Sequence, residues 1–461
     1  MNPIEWVFDH AANTPEAVAI AAPNFEMTFG NLVASVRRFS GKFQQLGVRK
    51  GSIVGVSARA ELDTIVALSL LQIGAISLTA SASVVRSYRD QIDFLVVTET
   101  VIGFPLDRQI LVNQDFLQSL GMVSPLEIAT ELQDEDVVRL VFSSGTTGTP
   151  KGVEFTKENL VTRTQSARTN WMPADPFMSL LGLDTVTGMQ TFYWSVFNGK
   201  TWLSPTSPEG NLELISKYLV KAIKTSPAKL DDLLGAAEAN PLPLVLEFIE
   251  VAGSLLSRRI GERCQKVTGI TPLYLYGSTE VGTVTKGYFN ASEPENVGRK
   301  VDDVDFEVIE GRIRYRKANM PKDYWLNPNT GSSGFHDGWF YPGDLGRLDD
   351  EGNLHLSGRA DDLVNAGGAK FNLLELDMWL RDANLFDDVA TFTFLNDGGE
   401  QAIGIAFVSN QPPIPEILTK RIQDFLPNLN PALILRLKEL PRNKLDKVDR
   451  KAIQELATTL K

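Results

Sequence analysis

Residues 142–152 read Phe-Ser-Ser-Gly-Thr-Thr-Gly-Thr-Pro-Lys-Gly. A short run of hydroxyls, glycines and a lysine can hold a polyphosphate. Gly145 and Gly148 let backbone N–H groups come close to oxygen. Ser143, Ser144, Thr146 and Thr147 add hydroxyl donors, and Lys151 adds a point charge. The run is not a Walker A loop, which needs Gly-x-x-x-x-Gly-Lys-Ser/Thr opening a helix. Here a proline precedes the lysine, and a β-branched segment, Val153-Glu154-Phe155, follows. A second group lies at 274–280, Tyr-Leu-Tyr-Gly-Ser-Thr-Glu. It brings an aromatic ring, a glycine, two hydroxyls and a carboxylate to the end of an apolar strand. In a parallel sheet the carboxyl ends of strands form the ligand crevice. Asp344, in Gly338–Gly346, offers a carboxylate that can accept two hydrogen bonds.

Other chemistries lack their usual signatures. The three histidines, His10, His336 and His355, are scattered, and Cys264 is the single cysteine. Zinc-ligand spacing is therefore missing, as are the Gly-x-Ser-x-Gly elbow and the Gly-x-Gly-x-x-Gly fingerprint.

The elements that must carry these residues read as α/β. Val137–Val141 is a short apolar strand delivering the phosphate-holding run. Leu32, Val36, Phe39, Phe43 and Leu46 recur at helical spacing, and Gly47 can end that helix. Ile53–Val56, Ile76–Leu78 and Phe94–Val97 read as strands, and Ile65, Leu68 and Leu71 mark a second helix ending near Gly74. Strands alternating with helices imply a parallel sheet with helices on its faces. From about 297 to 357 the pattern shifts to short strands and turns, an antiparallel region. The last hundred or so residues read as a small α+β unit. The chain has 461 residues, enough for about two to four domains. A net charge of −12 argues against general nucleic-acid binding. No apolar run is long enough to span a membrane. With one cysteine and no signal-peptide pattern at Met1–Trp6, the cytoplasm is the expected compartment.

Residues 143–152 match, position by position, the phosphate loop of the acyl-adenylate-forming superfamily. That group holds acyl-CoA synthetases, luciferase-like enzymes and the adenylation domains of nonribosomal peptide synthetases. Further resemblances follow in the family's order. They imply that Tyr276 stacks on adenine beside Gly277 and Ser278, that Thr279 contacts the α-phosphate, and that Glu280 holds Mg²⁺. Val251–Ser257 resembles the adenine-side segment, with Gly253 and Ser254 in place and Ala252 where glycine is commoner. Asp344 becomes the ribose ligand, with Pro342 replacing the usual threonine. Gly358-Arg359-Ala360-Asp361-Asp362 resembles the hinge segment, with Arg359 on ribose and Asp361 as the pivot. Gly368 matches the glycine lining the thiol tunnel. Pro441–Arg450 resembles the C-terminal run that carries the adenylation lysine. Its register selects Lys447 over Lys444, and Asp446 replaces a glycine.

The resemblance implies an α/β fold. It would have a large N-terminal region, residues 1–358, of layered α/β subdomains with a small β-barrel-like subdomain. A small mobile α+β C-terminal domain, 359–461, would follow. It implies ATP, Mg²⁺ and a carboxylic acid, and transfer of the acyl group to coenzyme A or to a carrier-protein phosphopantetheine. Leu183-Asp184-Thr185-Val186-Thr187-Gly188 stands where relatives often have Phe-His-x-x-Gly, so Thr185 replaces a gating histidine. Asp184 has two readings, an anchor for an α-amino group or a helix cap, and the cap is the expectation. Trp171, Phe192, Tyr193, Trp194 and Trp202 are expected in the core rather than in a substrate pocket.

Overall fold

The computed structural model describes every residue except 144–149, 171–173, 241–244, 319, 327–333, 367–368, 382, 384, 396–400, 410–414, 428, 430, 443–447 and 460–461. Two six-stranded sheets dominate the chain up to residue 300. The first runs Gln109–Leu111, Phe94–Val97, Ile53–Ser57, Ile76–Thr79, Val137–Ser143, Lys151–Thr156 in spatial order. It is parallel except for the last pair, where Lys151–Thr156 returns antiparallel against Val137–Ser143. The phosphate-holding run therefore connects two paired antiparallel strands in sequence. The expected helix Phe29–Gln45 forms, capped by the Thr28 hydroxyl and burying Leu32, Val36, Phe39 and Phe43. Leu46 falls just past its end and is 42% exposed, off the buried stripe. Helix Ala60–Ile73 stops at Gly74, whose φ of 80° is left-handed.

The second sheet places Phe177–Ser179, Ala222–Thr225, Phe248–Ala252 and Leu273–Ser278 in parallel. Gly282–Tyr288 and Arg299–Lys300 then add antiparallel strands. The hairpin-rich region is an antiparallel sheet around Arg312–Arg316, with Asp344–Leu348 and Leu354–Arg359 on one side. Its strand path does not close on itself among the described residues. Beyond Arg359 comes a 3₁₀ turn, Ala360–Asp362, then the hairpin Leu363–Ala366 and Ala369–Asn372. A three-stranded sheet follows, packed with helices Leu373–Arg381, Pro415–Phe425 and Arg450–Thr459. The buried apolar clusters here draw only on residues from Val364 onward, and the two large clusters of the preceding region only on residues up to Leu354.

One charged cluster lies inside the first sheet. Arg139, fully buried on Val137–Ser143, donates to Ser77 Oγ at 3.2 Å, Thr79 Oγ1 at 2.7 Å and the Leu183 carbonyl at 2.8 Å. Thr79 in turn donates its hydroxyl to Asp63 Oδ2 at 3.1 Å. Burial pushes the Asp63 carboxyl up to about 6, and the Arg139 charge restrains that rise. The folded protein therefore holds a proton here that an unfolded aspartate, near 3.8, releases. Stability from this group falls as pH rises from about 4 to 6, by an amount of order 3 kcal/mol. Asp63→Asn should remove that slope. In urea unfolding, its stability relative to wild type should grow steadily across this window, and a difference that stays constant with pH would refute the assignment.

Candidate active site

A cavity of about 1040 Å³ opens where the carboxyl ends of the two large sheets face the C-terminal region. Ser143, Gly253, Ser254, Tyr276, Gly277, Asp344 and Arg359 all line it, although they come from five separate stretches of sequence. Tyr276 ends a buried strand, and its hydroxyl donates to Asp344 Oδ2 at 2.7 Å. Burial and that carboxylate hold the phenol far above its ordinary range, so it stays a neutral donor. Arg359 Nη1 sits 3.4 Å from Asp344 Oδ1, and its Nη2 donates to the Pro342 carbonyl at 2.8 Å. The contact made by residue 342 is thus with its backbone, which proline supplies as well as threonine. Gly277 is required by space: a Cβ there would lie 2.0 Å from the Gly282 carbonyl oxygen. Ser254 contributes its carbonyl to the Tyr274 hydroxyl at 2.9 Å.

The phosphate-run residues Ser144, Gly145, Thr146, Thr147 and Gly148 lie outside the described residues, but both flanks are defined. Ser143 pairs with Lys151 where the two flanking strands meet. Tyr88 donates to the Pro150 carbonyl at 2.6 Å, and Trp325 N–H donates to the Gly152 carbonyl at 2.8 Å. Tyr88, Phe142 and Trp325 pack together beneath this point. Lys151 Nζ lies 4.9 Å from the Tyr324 ring centre. Tyr324 in turn donates its hydroxyl to Glu280 Oε1 at 2.7 Å. Arg163 fixes the backbone of the same turn, donating to the carbonyls of Thr279 at 3.2 Å and Glu280 at 2.5 Å. Burial lowers the Arg163 guanidinium to about 10, against the pull of the Glu280 charge, and it remains a cation near neutrality. Ser278 Oγ accepts from Val281 N–H at 3.3 Å and helps shape the turn. Glu280 is 4% exposed. Among the described residues no group of three or more His, Cys, Asp or Glu is arranged to hold a metal. A single carboxylate such as that of Glu280 suits a hard cation that takes its remaining oxygens from phosphate and water.

Arg359 leads directly into the 3₁₀ turn containing Asp361, which is exposed. Gly358 before it has φ of 106°, and a Cβ there would meet Asn372 Oδ1 at 2.2 Å. Asn372 is buried and donates to the Arg359 carbonyl at 2.5 Å, so a residue of the C-terminal region holds the backbone of the predicted pivot segment. Arg450 ties Asp362, at 3.5 Å, to Asp377, at 2.6 Å. Gly368, Lys444, Asp446 and Lys447 lie outside the described residues, while the flanking Arg442 and Val448 face the cavity.

At the far end of the cavity the expected role of Asp184 needs correction. Helix Val186–Phe197 is capped by Thr185, whose Oγ1 accepts from Gly188 N–H at 3.0 Å. Two adjacent residues with capping side chains compete for one position, and the later one wins. Asp184 is left on the cavity wall. Phe192, Tyr193, Trp194 and Trp202 are buried in the core, as expected. Trp171 lies outside the described residues. Sequence reasoning missed Tyr88, Arg163, Tyr324, Trp325 and Asn372. Only the aromatic pair Tyr324-Trp325, with no apolar periodicity around it, gave any local signal.

The profile of the family described as AMP-binding enzyme matches residues 7–320, and the chain belongs to that family. It is 25% identical to a 2-succinylbenzoate–CoA ligase from a Geobacillus species, over 98% of this chain and 97% of the relative. It is 23% identical to a D-alanine–D-alanyl carrier protein ligase from Lactococcus lactis, over 99% of both. Its fold matches that of the o-succinylbenzoate coenzyme A synthetase of Bacillus subtilis, solved with ATP and a magnesium ion. That match has a TM-score of 0.81 at 23% identity, covering 97% of this chain and 98% of that one. The chain is an ATP-dependent, adenylate-forming ligase of the acyl-CoA synthetase kind. Tyr276→Phe should keep the ring but free one side of Asp344. AMP binding measured by calorimetry should weaken about tenfold, the value of one hydrogen bond to a charged group. Unchanged affinity would show that Asp344 needs no help from Tyr276.

Proposed function

We propose that the chain activates a carboxylic acid without an α-amino group and transfers the acyl group to coenzyme A. The acid's carboxylate attacks the α-phosphorus of ATP, and pyrophosphate leaves. A thiol then attacks the acyl carbon, and AMP departs with the bridging oxygen. No enzyme-bound covalent intermediate is needed, so catalysis is positioning and charge stabilisation. Asp344 and Arg359 bind the ribose, Tyr276 with Gly253, Ser254, Gly277 and Ser278 forms the adenine side, and Ser143–Gly148 with Lys151 holds the phosphates. Thr279 meets the α-phosphate. Glu280 holds Mg²⁺, which when bound neutralises phosphate charge facing the incoming carboxylate. Lys447 bridges the substrate carboxylate and the α-phosphate. The domain boundary falls at 358/359. Asp361 is the pivot between the two half-reactions, and Gly368 leaves room for the pantetheine arm.

The observation that carries this reading is the meeting of Ser143, Tyr276, Asp344 and Arg359 at one cavity. A carrier-protein phosphopantetheine offers the same thiol, and the Lactococcus relative, a carrier protein ligase, supports it as the second acceptor. The charge balance at Asp184 supports an acid without an amino group. Buried Arg139 donates to the carbonyl of Leu183, the residue before Asp184, at 2.8 Å, so the protein supplies a cation of its own next to this wall. A cytoplasmic setting fits the lone cysteine, Cys264, which is buried and whose thiol burial pushes up to about 11. Among the described residues no helix is long and apolar enough to cross a membrane.

The test is pyrophosphate release across a panel of aryl, alkyl and amino acids, with coenzyme A added afterwards, for wild type and Asp184→Ala. The best substrate should lack an α-amino group and keep most of its rate in Asp184→Ala. An amino acid as best substrate, with its rate lost in that variant, would overturn the proposed acid class and favour the carrier-protein acceptor.

A further inference from the structure

Tyr324 touches two groups that the proposed reaction needs, one through its hydroxyl and one through its ring face. Its hydroxyl donates to Glu280 Oε1 at 2.7 Å, and its π face lies 4.9 Å from Lys151 Nζ. The phenol is a neutral group and acts as the donor in its hydrogen bond to that carboxylate. The ring itself is held independently. It stacks edge-on against Phe335 with centroids 5.2 Å apart, and the next residue, Trp325, bridges backbone to backbone with Gly152. Arg163 already fixes the carbonyls of Thr279 and Glu280, so the backbone of the turn does not depend on Tyr324. What the hydroxyl alone can set is the orientation of the Glu280 carboxylate.

We infer that Tyr324 is a positioning residue: by occupying Oε1 it presents Oε2 of Glu280 as the single oxygen offered to the cation of MgATP, and its ring seats the Lys151 ammonium beside the same phosphates. The inference rests on the adenylation reading of Glu280. A carboxylate with one oxygen engaged by a neutral donor binds a small octahedral cation through the other, which fits Mg²⁺ better than a freely rotating, bidentate group. Groups that orient a metal ligand in this way are commonly worth about tenfold or more in metal affinity.

The experiment compares ATP binding by calorimetry in EDTA and in excess Mg²⁺, for wild type, Tyr324→Phe, Glu280→Gln and the double variant. Tyr324→Phe keeps the ring, and with it the Lys151 and Phe335 contacts. Its affinity in EDTA should match wild type, while its affinity in Mg²⁺ should fall about tenfold. In the Glu280→Gln background, adding Tyr324→Phe should change neither arm. Equal Mg²⁺ responses in wild type and Tyr324→Phe would overturn the inference alone, as would an equal loss in both arms or a further loss in the double variant. A wild type that binds ATP equally in EDTA and Mg²⁺ would overturn the metal role of Glu280, and the inference with it.

Discussion

The Asp344 carboxylate is the point on which the site depends. One oxygen takes the Tyr276 hydroxyl from the end of a parallel strand, and the other faces the Arg359 guanidinium at the start of the hinge segment. Asp344 itself begins a strand of the antiparallel sheet and pairs in register with Arg359. Two sheets of the fold therefore meet at a single charged group. A half-buried carboxylate that receives a neutral donor and a cation keeps a fixed orientation with little unbalanced charge. It can then offer its remaining acceptor capacity to a ligand without rearrangement, which is the kind of preorganisation that a positioning mechanism requires. Asn372 of the C-terminal region donates to the Arg359 carbonyl, so that region contacts the backbone of a partner of this carboxylate.

Much of this was legible in the sequence, and the reason differs by residue. Strands and helices up to residue 97 follow from apolar spacing and glycine stops, since burial on one face imposes the period. Tyr276 stands in a local run whose composition already points to chemistry, while Asp344 and Arg359 were singled out by the resemblance of their segments to a known family. Tyr324, Arg163 and Tyr88 do not. Their partners lie 44, 117 and 62 residues away, and nothing in a local window records such a pairing. Asp184 failed for a narrower reason: Asp184 and Thr185 both qualify as caps, and the backbone accepted the second. Asn372 was invisible because its work is done on a backbone carbonyl, which has no sequence signature.

Buried charge recurs away from the site. Lys224 and Glu250 are both nearly inaccessible, on adjacent paired strands, with the ammonium 3.4 Å from the carboxylate. Burial pulls the lysine down and pushes the glutamate up, and each restrains the other's shift. Such pairs contribute little net stability but make loss of either partner costly. Together with Arg139, they sit within the two sheets whose carboxyl ends frame the cavity, while Asp63 lies on the helix Ala60–Ile73. Both sheets are thus sensitive to register, because a slip would strand a charge without its partner.

The central claim is that an acid attacks the α-phosphorus of ATP in this cavity and that a thiol later displaces AMP. Oxygen-18 in the carboxylate of the acid substrate follows that path directly. The account predicts AMP carrying one labelled oxygen from the acid, unlabelled pyrophosphate, and a thioester retaining the other label. Labelled inorganic phosphate together with ADP would instead mean attack at the γ-phosphorus, and would contradict it.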